Sequence, residues 1–122
     1  MKFGEYLRQK RLEKNMKAKT FAELLEISPA YLSSLENESR QPPSYELLEK
    51  IADILELSTD ERYQLFDLAG ENKHPQEIAK DLTEYIYQNP QIIEILRYAM
   101  KCNLSDREWL VISNFVYRAY KY

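Results

Sequence analysis

Residues 20–41, TFAELLEISPAYLSSLENESRQ, decide how the rest of the chain is interpreted. Phe21, Ala22 and Leu25 form an apolar stripe at helical spacing, which predicts a short helix at the start of this stretch. A second short helix begins where the hydroxyl residue Ser28 is followed by a proline at the first helical position. The stretch is therefore predicted to be a helix, a tight turn and a second helix.

The second helix of this pair has two different sides. Its spacing places Leu32 and Leu35 inward, together with Ile27 of the turn. The side chains left outside are Tyr31, Ser33, Ser34 and Asn37. Two helices with so few apolar residues are not stable alone, because helix nucleation is costly. They need a surrounding scaffold, and their outer side is then free for binding.

Helical periodicity and capping residues predict that scaffold. One helix precedes the pair, at residues 3–14, and two follow it, after the N-caps Ser44 and Ser58. The residues predicted to face inward in the latter two are Leu47, Leu48, Ile51, Ala52, Leu55, Tyr63, Phe66 and Ala69. Gly70 is predicted to end the fifth helix, and Asn15 and Asn103 are predicted left-handed helix stops.

Domain organisation follows from the polar, proline-containing segment at residues 71–76, the predicted linker. It separates an N-terminal domain, residues 1–70, from a C-terminal helical region, residues 77–122. Helical patterns continue in that region to about residue 88, restart at Asn89-Pro90, and restart again at a capping box in residues 105–108. We therefore expect an all-α chain with five helices followed by about three more.

Composition excludes several classes of protein. The chain has one cysteine, too few for a disulfide or a thiolate metal cluster, and its one histidine, His74, lies in the predicted linker with no second ligand at metal-binding spacing. We therefore expect no metal, no cofactor and no enzymatic activity. No apolar run approaches the roughly 20 residues of a membrane span, and the N-terminus lacks the hydrophobic segment of a secretion signal. We expect a cytoplasmic protein with no membrane partner.

The charge distribution matters more than the net charge of −3. The first 19 residues carry seven basic and two acidic side chains, whereas residues 44–73 carry three basic and eight acidic ones. The positive end of the chain thus coincides with the segment that leads into the helix pair.

Residues 3–70 resemble the lambda-repressor-like, Cro-type helix-turn-helix family of DNA-binding regulators, also known as the xenobiotic-response-element family. The residues that carry the resemblance are Leu7, Arg8, Arg11, Phe21, Ala22, Leu25, Glu26, Ile27, Ser28, Tyr31, Leu32, Ser33, Glu36, Asn37, Arg40, Gln41 and Pro42, followed by the apolar run in residues 47–55. The resemblance implies a five-helix DNA-binding domain and a bacterial or phage-like regulator.

The resemblance also implies roles for individual residues. An α-helix fits the major groove of B-DNA, so the helix at about residues 29–37 would enter it. The residues expected to bind DNA are Lys17, Lys19, Ser28, Pro29, Ala30, Tyr31, Ser33, Ser34, Asn37 and Arg40. Among them, Ala30, Tyr31 and Ser34 match positions that face base edges. Three others, Ser28, Asn37 and Arg40, match positions that hold phosphates in relatives, and Lys17 and Lys19 lie beside the start of the second helix.

The chain also departs from the family pattern. Glu26 and Glu38 occupy positions where relatives usually have glycine, and Ala18 replaces a frequent phosphate-binding glutamine. The groove helix offers no Arg, Gln or Asn at the expected base-reading positions, so we expect specificity to be modest or to depend on DNA shape. By contrast, Arg11 and Glu36 match a partly buried ion pair of relatives, which we interpret as structural.

Two interpretations of the C-terminal helices remain open: they either extend the domain or form an assembly surface. Residues 84–122 contain six of the ten tyrosines, and aromatic surface is typical of interfaces. The residues expected at a dimer interface are Trp109, Ile112, Phe115 and Val116. Relatives of this type usually bind pseudo-palindromic sites as dimers. We therefore expect a homodimer.

The sequence as a whole predicts a transcriptional regulator, with repression as the expected mode, that binds a double-stranded, pseudo-palindromic operator. A regulatory protein partner is a further expectation from relatives. The alternative is an antitoxin-like or adaptor module for protein interaction with weak DNA binding, favoured by the acidic segment at residues 44–73.

Overall fold

The computed structural model describes residues 1–122, which form eight α-helices and no strand. The helices are α1 (Phe3–Glu13), α2 (Ala18–Leu25), α3 (Pro29–Glu36), α4 (Tyr45–Ile54), α5 (Thr59–Glu71), α6 (Lys80–Gln88), α7 (Pro90–Cys102) and α8 (Asp106–Lys121). The predicted all-α architecture, five helices followed by three, is confirmed. None of these helices is long and apolar enough to cross a membrane.

The chain divides into two compact units, Met1–Thr83 and Glu84–Tyr122, referred to below as unit 1 and unit 2. Unit 1 has one apolar core, and each of the helices α1 to α5 contributes to it. Its fully buried side chains include Leu7, Phe21, Leu25, Leu32, Leu35, Ile51, Leu55 and Leu65. The inward stripes predicted for the helix pair and for α4 lie in or against this core.

The inward face predicted for α5 is wrong at one residue. Tyr63 is 52% exposed, and Leu65 and Leu68 are buried with Phe66 and Ala69 instead. The buried face of α5 is therefore the one on which Leu65 and Ala69 lie one turn apart. A residue at position 63 lies on the opposite side of the helix.

Gly70 does not end α5, which runs one residue further, to Glu71. Its φ is not in the left-handed region, so conformational freedom is not why glycine stands there. A Cβ atom at this position would collide with the backbone carbonyl of Glu77, whose N–H donates to the carbonyl of Gly70 at 3.0 Å. Glycine is needed here because the chain folds back onto α5.

Residues 71–79 pack against the helices of unit 1. Asn72 Oδ1 accepts a hydrogen bond from the Phe3 N–H at 2.6 Å, and Ala79 is buried in the core. The N-terminal module of residues 1–70 and its linker stay a prediction, to which the structure adds that the segment after residue 70 packs on α1 and α5.

Unit 2 contains little buried surface. Ala99 is the one buried residue of α7, and no residue of α6 or α8 is buried. The predicted capping box is present, because Ser105 accepts from the Glu108 N–H and Glu108 accepts from the Ser105 N–H. Local signals thus define α8 well, although its apolar side chains have no core to enter.

Candidate nucleic-acid interface

The helix pair α2–α3 is joined by a turn whose geometry is set by one left-handed residue. Glu26 has φ 60° and ψ 38°, and the Ile27 N–H closes the turn by donating to the Ala22 carbonyl at 3.0 Å. Lys50 of α4 donates to the Leu25 carbonyl at 3.2 Å and pairs with Glu26 at 3.3 Å. The C-terminal end of α2 is therefore fixed to the scaffold.

The N-terminus of α3 is formed as predicted. Ser28 is the N-cap, and its hydroxyl accepts from the Tyr31 N–H at 3.0 Å, with Pro29 at the first helical position. The N-terminus of α2 differs, because Lys17 caps it without a side-chain hydrogen bond.

Two contacts with α1 position the other end of α3. Arg11 forms a bidentate ion pair with Glu36, Nε to Oε2 at 2.7 Å and Nη2 to Oε1 at 2.9 Å, and also donates to the Met16 carbonyl at 2.8 Å. The two side chains are 9% and 10% exposed. Hydrogen bonding to Glu36 raises the pKa of Arg11 against the opposing effect of burial. A charge pair this well enclosed serves to hold α3 rather than to bind a ligand.

The second contact is a close approach of backbones at Gly4. A Cβ atom there would lie 2.5 Å from the Glu36 carbonyl oxygen and 2.6 Å from that of Leu35. Only glycine allows α1 to lie this near the last turn of α3. The orientation of α3 is thus defined by its contact with α1.

The outer face of α3 is partly as predicted. Pro29, Ala30 and Ser33 are exposed, as are the flanking Ser28, Asn37 and Arg40. Tyr31 and Ser34 are only half-exposed: the tyrosine packs against the core, and the Ser34 hydroxyl donates to the Tyr31 carbonyl at 2.6 Å. Pro29, Ala30 and Ser33 are accordingly the exposed predicted side chains on the helix itself.

The cations of unit 1 fall into two groups. Seven of them form ion pairs with carboxylates: Lys2, Lys10, Arg11, Lys50, Arg62, Lys73 and Lys80. The rest have no ion pair: Arg8, Lys14, Lys17, Lys19 and Arg40, all of them exposed. Every lysine and arginine of unit 1 without an ion pair therefore lies in residues 8–40, the segment that contains the helix pair.

Two of these cations, Arg8 and Lys14, were not among the predicted site residues. Arg8 of α1 lines a hollow of about 310 Å³ together with Ala18, Ser33 and Asn37, above the Arg11–Glu36 pair. Arg8 belongs to the motif that carries the family resemblance, but its sequence position gives no sign that it lies beside the outer face of α3.

Residues 7–62 match the helix-turn-helix family model. This segment is a lambda-repressor-like helix-turn-helix domain. A solved complex of the proteins SinR and SinI contains a chain that is similar in structure, with 22% sequence identity, a TM-score of 0.50, and coverage of 98% of this chain and 99% of that one. At this identity the likeness shows a shared fold. No curated protein matches the chain.

The family match gives the helix pair a class of function, since helix-turn-helix domains of this kind bind DNA and regulate transcription. The individual DNA-contacting residues stay predictions. The structure places the predicted cations and the accessible face of α3 on one continuous segment, whereas Trp109, Ile112, Phe115 and Val116 lie in unit 2.

Proposed function

We propose that this protein is a sequence-specific transcriptional regulator, acting as a repressor, that inserts α3 into the major groove of its operator. The observation that carries the proposal is the separation of charge: all five unpaired lysine and arginine side chains of unit 1 lie in residues 8–40. DNA binding is driven largely by neutralisation of backbone phosphates by Lys and Arg, and a cation without a carboxylate partner is free to do this. A repressor of this kind blocks polymerase by occupying its site.

Each part of the helix pair has a role in this proposal. Ala30 and Ser33 approach base edges. Tyr31 and Ser34 are half-buried and turn only their exposed edges towards the DNA. The Ser28 cap lies at the groove entrance. Lys17, Lys19, Asn37 and Arg40 contact phosphates on either side. Because the helix offers no bidentate base-reading side chain, discrimination depends on shape and deformability of the DNA as well as on direct contacts.

Dimerisation through unit 2 is the second part of the proposal. Trp109 and Ile112 are 39% and 38% exposed, and Val116 and Phe115 are 59% and 75% exposed. A 16-residue helix with no buried residue gains too little to remain ordered by itself. Its apolar side chains require a partner surface of the same character, and a second copy of this chain supplies one.

The charges on α8 support an antiparallel arrangement of two copies. Asp106 and Glu108, with Arg107 between them, lie at its N-terminal end, and Arg118 and Lys121 lie in its last turn. Antiparallel pairing would place the acidic end of each helix beside the basic end of its partner, on both sides of the apolar middle. A two-fold axis of this kind matches a pseudo-palindromic operator with half-sites about 34 Å apart.

Binding to DNA tests the first part directly. Selection from a random duplex pool should yield a pseudo-palindromic site, and fluorescence anisotropy should show tight, salt-dependent binding to it. Ala30→Glu places a carboxylate against groove acceptors and phosphates and should abolish that preference. Gln64→Glu adds the same charge to the exposed side of α5 and should bind like the wild type. Equal loss in both variants, or in neither, would refute the proposed face.

A second candidate is a protein-interaction module, antitoxin-like or an adaptor. Exposed carboxylates on α4 and α5 favour it: Glu46, Asp53, Asp60 and Glu71 lie on the surface of unit 1. They would attract a basic partner protein and repel DNA. Absence of salt-dependent binding to any duplex, with a folded protein, would favour this candidate over the regulator.

A further inference from the structure

A cavity between α4, α5 and the segment that follows α5 contains none of the residues predicted to bind DNA. Its walls come from the first half of α4, the second half of α5 and residues 73–83, all of them in unit 1. At about 350 Å³ it lies at the small end of the range for small-molecule sites, roughly 300–1,000 Å³. A ligand of that size is a compact molecule such as a single amino acid.

The floor of this cavity is apolar and partly aromatic. The ring of Phe66 lies against that of Tyr45, with the centroids 5.1 Å apart and the planes tilted by 51°. The carbonyl of Gly70 already accepts from the Glu77 N–H at 3.0 Å. No buried side-chain nitrogen or oxygen of the chain lacks a hydrogen-bond partner. The floor therefore suits an apolar group, and the two rings favour an aromatic one. The buried side chains that form it are Leu48, Phe66, Ala69 and Ala79.

The mouth of the cavity carries two ion pairs and no net charge. Lys73 donates a hydrogen bond to Glu77 at 3.2 Å, so that pair is closed. Lys80 and Glu46 lie 3.7 Å apart, which is longer than a hydrogen bond, and both are well exposed. The Lys80 ammonium lies 5.2 Å from the centre of the Tyr45 ring. One loosely paired cation and one loosely paired carboxylate thus stand beside the aromatic wall.

We propose that this cavity binds a free α-amino acid with a large apolar side chain, such as phenylalanine. The side chain enters the apolar floor, the ligand's ammonium donates to the Glu46 carboxylate, and its carboxylate accepts from Lys80. A zwitterion supplies one charged group for each partner and keeps the mouth neutral. A ligand with only one charge leaves one partner without a new contact. The inference does not depend on DNA binding.

Isothermal titration calorimetry of the full chain with four probes tests the chemistry of the ligand. L-phenylalanine should bind, and three relatives should bind at least about tenfold more weakly: 3-phenylpropionate lacks the amine, phenethylamine lacks the carboxylate, and L-alanine lacks the ring. Each loses a charge-assisted hydrogen bond or the burial of the ring. Equal binding of any of the three, or a Kd for phenylalanine above about 10 mM, would overturn the proposal.

Two variants test the mouth of the cavity, and each has a matched control. Glu46→Gln and Lys80→Gln should each weaken phenylalanine binding about tenfold. Glu49→Gln changes a carboxylate of the same helix that pairs with Arg62 at 3.8 Å, outside the cavity. Lys2→Gln opens an exposed pair of similar length, 3.6 Å. Both controls should bind like the wild type, and equal losses in controls and cavity variants would contradict the site.

Hydrogen exchange of the wild-type protein locates the ligand without any variant. Bound phenylalanine should slow exchange several-fold at the amides of residues 77–83, because it links this segment to α4 and α5. Protection confined to the exposed apolar helices of unit 2 would place the ligand elsewhere and refute the cavity site. None of these measurements involves DNA, so the failure of this inference and the failure of the proposed function are distinguishable.

Discussion

At the scale of single residues, the Arg11–Glu36 pair is the polar contact on which the position of α3 depends most. Its two partners are separated by 25 residues and are about nine-tenths buried. Removing one partner of a buried pair leaves the other charge without compensation, which is far more costly than losing a surface pair. The pair thus couples the stability of unit 1 to the presentation of the proposed DNA-binding face.

Glu36→Gln should lower the free energy of unfolding by about 3–5 kcal/mol, because it leaves the Arg11 guanidinium enclosed without a counter-charge. The double variant Arg11→Met, Glu36→Leu should recover much of that loss. Urea unfolding followed by circular dichroism measures both. As a control, Asp53→Asn breaks the exposed contact to Arg62 at 2.9 Å and should cost under about 1 kcal/mol.

Glu61 gives unit 1 an acid-sensitive contact. Hydrogen bonding from Lys10, and then from the Ser58 backbone and hydroxyl, lowers the pKa of Glu61 from 4.5 to about 2. A carboxyl group whose pKa is depressed by folding stabilises the protein above its unfolded pKa. That contribution is lost as the pH falls from about 4.5 towards 2.

We expect the free energy of unfolding to decline across this pH window in the wild type and to decline less in Glu61→Gln. The Glu61 side chain is 37% exposed, so solvent screens its contact with Lys10. The loss of unfolding free energy across this pH window should therefore differ between the two proteins by about 1 kcal/mol at most. Urea unfolding at pH 6, 4 and 3 measures it. Parallel decline in both proteins would show that the contact contributes nothing.

At the scale of helices and turns, unit 1 uses left-handed residues that are not glycine. Glu26 after α2 has φ 60° and Glu38 after α3 has φ 66°, and Glu56 after α4 has φ 51°. Each costs on the order of 1 kcal/mol relative to glycine, which has no Cβ to crowd the following carbonyl. The turn between α2 and α3 is therefore formed against a local strain that tertiary contacts compensate.

Glu26→Gly should raise the free energy of unfolding by about 0.5–1 kcal/mol, since relief of the strain exceeds the loss of its exposed contact to Lys50. Glu23→Gly, three residues earlier and inside α2, is the matched control. It should lower stability by about 1 kcal/mol, because glycine is unfavourable within a helix. The difference between the thermal midpoints of the two variants measures the cost of the left-handed position.

At the scale of the whole molecule, the two units differ in how they are stabilised. Unit 1 has a closed apolar core, whereas α8 places Leu110, Val111, Phe115 and Tyr120 on the surface at 59–82% exposure. Exposed apolar surface of this extent is typical of association sites, and it supports our proposal that α8 is one. Stability of unit 2 should therefore depend on protein concentration, and that of unit 1 should not.

Val116→Glu should convert the proposed dimer to a monomer, because it introduces a charge into the apolar seam shared with Trp109 and Ile112. Asn114→Glu places the same charge on the polar side of α8 and should leave assembly unchanged. Sedimentation equilibrium over a dilution series from about 1 to 100 µM distinguishes them, within the range of ordinary dimer affinities. A wild-type protein that remains monomeric throughout would remove unit 2 from the proposed function.

The sequence by itself determined the helices, their caps and most inward faces of unit 1, because these depend on residues three or four positions apart. Ser28, Ser58 and Ser105 cap helices as predicted, and Asn15 and Asn103 are left-handed, for the same local reason. The helix-turn-helix family followed from the same short-range pattern.

Tertiary structure alone decided which side chains are free to act. Arg11 is paired because Glu36, 25 residues away, packs against it, whereas Arg8 has no carboxylate within ion-pair distance. Tyr31 is half-buried, and Gly4 and Gly70 are required, because distant segments pack against them. Pairing and burial are properties of the assembled fold, and no local pattern in the chain encodes them.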